Sequence, residues 1–191
     1  MVALGVAVGD GSTPVDDWFQ RARGSALGHL LFFTDLRTMA VILLIAVGAA
    51  LVTKRWLLAL LMMVSPVAAV MIARAFKRLF EREKEGALAY PSGHTTLMVV
   101  VLGMVIVLVG PRLWAMIGAS VWALLGVVGQ AVSYHYFTDA LGALLLGSSV
   151  VCVAALIEHR SFTPSSPPRR PQELICAGDT GDERLQGLRR R

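Results

Sequence analysis

The sequence predicts an all-α protein, an integral membrane helical bundle of about five transmembrane helices preceded by an N-terminal amphipathic helix at the membrane interface. Three observations lead there. Of the 191 residues, 55% are hydrophobic and only 16% are charged. Mean hydropathy is +0.65, outside the range of ordinary soluble domains. Charge-free runs of helix length then divide the chain at 38–53, 56–73, 95–111, 113–134 and 140–157. Lipid leaves a spanning backbone no partner but itself, so these runs must be helices.

Residues 1–12 form a first segment. Its apolar run lacks a basic leader, which makes a poor signal peptide, and at Asp10 it is too polar to span. A membrane domain follows at 13–159. It opens with Thr13 as a helix cap, Pro14 at the first helical position, and Asp16 and Asp17 in the first turn. Val15, Trp18, Phe19, Ala22, Ala26, Leu30 and Phe33 recur every three or four residues, so 14–33 reads as one amphipathic helix lying in the interface.

A spanning helix needs about 20 residues, with roughly 17–25 tolerated. The run 38–53 is short and relies on Arg37 and Lys54 snorkelling at its ends; the other four suffice. Pro66 is expected to kink the second span. Gly118, Gly126 and Gly129 give the fourth a small-residue face for close helix packing. The Pro- and Arg-rich stretch 160–191 has little to bury and reads as a disordered tail.

Net charge is +5, with the cations clustered. That argues against nucleic acid and for anionic lipid head groups or phosphorylated substrates. Cys152 and Cys176 lie in a greasy run and in the tail, which makes a disulfide improbable, and neither has partners at metal-ligand spacing. No metal site and no cofactor are expected, and oligomeric state is left open.

Polar chemistry gathers in two connectors. Residues 74–94 join the second and third spans, and the turn around His135–Asp139 joins the fourth and fifth, so five spans bring both to one membrane face. Taken singly, each element has a plain reading. Basic residues beside a span are usually interfacial anchors, Glu81, Glu83 and Glu85 can neutralise them, Ser92 is a sensible helix cap, and His135 with Asp139 can pair across one helical turn. Together they suit a phosphoryl group. Lys77 and Lys84 supply positive charge, while Ser92 with the Gly93 and His94 amides makes an anion site at a helix N-terminus. Asp139 can orient the His135 ring and fix its tautomer.

The order Lys77-x6-Lys84, then "PSGH" at 91–94, then His135-x3-Asp139 resembles the three signature motifs of the type-2 phosphatidic acid phosphatase superfamily, membrane lipid-phosphate phosphatases related to the vanadium haloperoxidases. The resemblance runs from about Asp16 to Ile157, with Gly142 also matching the third motif. It implies that His135 attacks phosphorus and carries a transient phosphohistidine, that Asp139 orients it, and that His94 protonates the leaving oxygen and then activates water. Lys77, Lys84, Ser92 and Gly93 would hold the equatorial oxygens.

Three departures stand out. Lys84 replaces an Arg, Glu85 replaces a Pro, and Gly129 stands where the third motif has Arg. Arg82, Lys84 and, more weakly, Gln130 are the side chains expected to substitute for that Arg. The expected function is hydrolysis of a lipid phosphate or diphosphate, with phosphatidic acid, phosphatidylglycerol phosphate and polyprenyl (di)phosphate all open. The alternative is a catalytically weak or inactive relative that binds a lipid head group or scaffolds a membrane complex. The resemblance also implies the plasma (inner) membrane, with the site on the outer face and the tail cytoplasmic; the positive-inside rule gives no clean answer.

Overall fold

A computed structural model describes residues 1–9 and 11–162, and the compact unit spans Met1–Arg160. From residue 163 onward the expected tail lies outside the described residues. Among the described residues seven α-helices follow in order: α1 Val2–Val8, α2 Pro14–Gln20, α3 Leu36–Val52, α4 Trp56–Phe80, α5 Gly93–Val109, α6 Leu113–Val132 and α7 Phe137–Phe162. A 3₁₀ helix, Ala26–Thr34, lies between α2 and α3. A two-residue antiparallel pair, β1 Glu83–Lys84 with β2 Ala87–Leu88, crowns the connector after α4. The chain is a membrane-embedded all-α bundle. Ala26–Val52, Trp56–Phe80, Leu113–Val132 and Phe137–Ser161 are long and apolar enough to cross a membrane, and α5, at 17 residues, is apolar but shorter.

The large side chains face outward as a hydrocarbon solvent requires: Leu44, Ile45, Leu60, Val67, Leu124 and Val153 are all exposed. Small and flexible residues fill the interior, with Ala50, Ala59, Met62, Ala69, Val100 and Met104 in one cluster and Met39, Met98 and Val101 in another. Helix α5 lies between α3, α4 and α6. Side-chain caps fix the helix starts: Asp35 accepts from the Arg37 and Thr38 amides, and Ser92 accepts from the Thr95 amide. At the far end Arg55 donates to the Leu108 carbonyl at 2.8 Å and pairs with Glu158, tying three helices together.

Two sequence expectations change in detail. The amphipathic stretch 14–33 is two pieces, because the chain turns over residues 21–25 and restarts as the 3₁₀ helix. That second piece packs along α6. Helix α4 carries Pro66 inside its length. Of the three α6 glycines, Gly126 and Gly129 serve close packing, whereas a side chain at Gly118 would meet nothing within 4 Å. A Cβ on Gly126 would lie 2.4 Å from the Met98 sulfur, and one on Gly129 would lie 2.6 Å from the Leu30 carbonyl carbon.

Candidate functional site

Two chain turns set the site. At the end of α6 the amides of Ser133, Tyr134 and His135 all converge on the Gln130 carbonyl, at 3.0 to 3.2 Å, which ends the helix tightly and projects His135. Asp139, in the first turn of α7, then receives the Tyr136 amide at 2.9 Å through Oδ2, the bond that the inner residue of a capping box makes. The same oxygen lies 3.6 Å from His135 Nδ1, inside ion-pair range but beyond hydrogen-bonding distance, and among the described residues Nδ1 has no hydrogen-bond partner. An imidazole whose Nδ1 faces a carboxylate leaves Nε2 as the nitrogen for chemistry.

Across from it, Ser92 begins α5. Its hydroxyl is fully buried and serves as the cap, also accepting from the Thr95 hydroxyl at 3.1 Å, while its amide donates to the Asp139 carbonyl at 3.2 Å. That bond ties the α5 start to the α7 start. Gly93 and His94 occupy the first turn, whose N–H groups have no intrahelical partner. Gly142 lies beneath, where a Cβ would collide with the Tyr90 ring at 2.4 Å.

Lys77, Gly93, His94 and His135 line one cavity of about 380 Å³. Arg74 lines it too, one helical turn before Lys77 and so on the same face of α4. Lys77 Nζ donates to the Leu88 carbonyl at 2.6 Å, which holds it against the connector and leaves further ammonium protons to spare. Two cations, two imidazoles and a helix N-terminus around one cavity have the chemistry that suits a multiply charged oxyanion.

The other expected phosphate donors are engaged elsewhere. Arg82 is buried, with Nη1 donating to Asp139 Oδ1 at 2.7 Å and to the Thr138 hydroxyl, and Nη2 donating to Asp16 Oδ2 at 2.9 Å. Lys84 Nζ donates to the His135 carbonyl at 3.1 Å and sits over the Tyr136 ring. Burial pushes the Lys84 ammonium below its usual range, and the Arg23 charge adds to that. Gln130 Nε2 donates to the Thr34 hydroxyl at 2.7 Å, joining α6 to the 3₁₀ helix. None of these three lines the cavity. Position 129 faces the Leu30 backbone.

Two participants escaped sequence reasoning. Arg74 could have been found from its spacing to Lys77. Asp16 could not: it read only as an acid in a first turn. The structure buries it completely, with Oδ1 accepting the Thr138 amide at 2.9 Å and Oδ2 accepting the Thr13 amide at 3.0 Å as well as Arg82. Burial alone would raise its carboxyl, but the hydrogen bonds from Thr138 and Thr13 outweigh it and hold the group below its ordinary value. Among the described residues no group of three His, Cys, Asp or Glu side chains is close enough to hold a metal ion.

Compared with family models, with curated proteins and with solved structures, the chain matches none of them.

Proposed function

We propose that the chain is a membrane phosphatase that hydrolyses a lipid phosphate or diphosphate through a phosphohistidine intermediate. The observation that carries this reading is the single cavity bounded by Lys77, Gly93, His94 and His135. In the first step His135 Nε2 attacks phosphorus, the phosphorus–oxygen ester bond breaks, and the leaving oxygen takes a proton from His94. In the second, His94 removes a proton from water, the water oxygen attacks phosphorus, and the phosphorus–nitrogen bond breaks to release inorganic phosphate. Asp139, on the Nδ1 side of the ring, stabilises the imidazolium. Arg74, Lys77 and the first amides of α5 stabilise charge on the equatorial oxygens. The resemblance of the three motifs to type-2 phosphatidic acid phosphatases supports the same assignment. On that resemblance the protein sits in the plasma (inner) membrane with its site on the outer face.

A second reading, a head-group binder or scaffold without turnover, is favoured by the engagement of Arg82, Lys84 and Gln130 with the protein itself. Phosphate release by the purified protein over a panel of lipid phosphates, beside His135→Ala, separates the two. Catalysis predicts release above that control, inhibition by vanadate and indifference to a chelator. Binding without release on every lipid would leave the scaffold reading.

A further inference from the structure

The polar cavity continues into an apolar one. Leu36, Val70, Arg74 and Leu97 line both. The second cavity, of about 340 Å³, lies between α3 and α4, walled by Met39, Ala40 and Leu43 on one side and by Met63, Pro66 and Val67 on the other. Apart from Arg74 its lining is entirely apolar. The apolar grooves between α4 and α7, among α5, α6 and α7, and between α2 and α6 share no lining residue with the polar cavity.

We propose that this groove holds the hydrocarbon tail of the substrate and accepts one chain, which makes the preferred substrate a single-chain phosphate amphiphile rather than a two-chain glycerophospholipid. The proposal rests on the phosphatase reading of the adjoining polar cavity. Arg74 stands at the neck, where a phosphate would meet its chain. Along α4 the groove descends from Arg74 to Met63, a rise of about 16 Å, comparable with half of the roughly 30 Å hydrocarbon core of a bilayer. A chain anchored at the head-group level thus runs down one leaflet's depth beside α4. Met39, Met63 and Met71 in the walls are flexible and polarizable, suited to a chain without fixed shape. Among the described residues, none of the other three grooves named above shares a lining residue with the phosphate position, so none of them offers a second chain a path from it.

The test uses purified protein in detergent with farnesyl phosphate, lysophosphatidic acid, phosphatidic acid and p-nitrophenyl phosphate. The expected result is a kcat/KM for a single-chain phosphate that exceeds phosphatidic acid by about tenfold or more, the equivalent of two buried methylenes. Preference for farnesyl phosphate supports an isoprenoid chain, and preference for lysophosphatidic acid supports a mono-acyl one. Ala40→Trp places an indole in the groove and should lower the single-chain to p-nitrophenyl phosphate ratio by about tenfold or more. Val153→Trp, in the α4–α7 groove, should keep the native ratio. A diazirine-tagged single-chain phosphate should crosslink to Met63, Val67 or Met39 whether or not it turns over. Turnover with an unchanged ratio in Ala40→Trp, with faster phosphatidic acid, or with crosslinks in the α4–α7 groove overturns the tail site and leaves the phosphatase reading intact. Crosslinks in the groove without phosphate release from any substrate support the tail site and overturn the phosphatase reading.

Discussion

Replacing Arg82 with Met tests the charge trio beneath the site. The Arg82 side chain is 1% exposed and lies between two carboxylates that are each 0% exposed, Asp16 and Asp139. Methionine keeps much of the volume and removes the cation that, among the described residues, is bonded to both. Removing one partner from a buried ion pair costs about 3–5 kcal/mol, because a charge is left without compensation. Both pairs share one guanidinium, so the two losses are coupled and do not simply add. For a chain of this size about 1 kcal/mol moves Tm by 2–4 °C, so the expected drop is about 6–20 °C. Tryptophan-fluorescence melts in detergent at neutral pH read it directly. Adding Asp16→Asn should recover part of the loss, because one of the stranded charges is gone. The pH dependence has a definite sign. Asp16 titrates below its ordinary 3.8 in the folded protein, so its contribution is full above that value and is lost as pH falls through the lower folded one. Acidification should therefore narrow the gap between native protein and Arg82→Met. A variant that melts within about 2 °C of native, or a gap that stays constant on acidification, would refute the reasoning.

Three further outcomes are expected. Gly129→Arg should lower Tm and the yield of folded protein rather than raise phosphate release, because a side chain there meets the Leu30 carbonyl carbon at 2.6 Å; a stable variant with faster release would contradict this. His135→Ala should cut phosphate release by a factor on the order of 10⁶, the scale seen when a covalent nucleophile is removed, whereas His29→Ala, outside the cavity, should retain native kcat/KM. The phenol of Tyr90, pushed up to about 12 by burial and by the Asp139 charge, should ionise late in a phenolate-absorbance titration. Tyr90→Phe should erase that late component.

Helix positions were legible because lipid imposes a rule that any reader of the sequence can apply: a run without charge, long enough to cross, must be helical. The meeting of His94 with His135 was legible for a related reason, since counting spans puts both connectors on one face. Arg82 was not. In sequence it looks like one more cation beside Lys84, and only partners far along the chain distinguish a buried brace from a surface anchor. Gly129 carried two readings, and its small-residue packing reading is the one the fold uses. Judged against a motif it was a missing donor, whereas in the fold it is a contact surface for the 3₁₀ helix, whose existence follows from tertiary packing rather than from periodicity. The break at 21–25 was equally hidden, because the apolar repeat continues across it and both α2 and the 3₁₀ helix pack against α6.

The charge trio also dictates an order of assembly. Asp16 precedes Arg82 by 66 residues and Thr138 by 122. During synthesis its carboxylate emerges long before either partner and must wait, hydrated, at the bilayer surface until α7 has been threaded. Docking of α2 is therefore a closing step that reports on completion of everything between. A chain whose last helix has failed to insert would lack the Thr138 and Asp139 partners that complete the burial of Asp16 and Arg82.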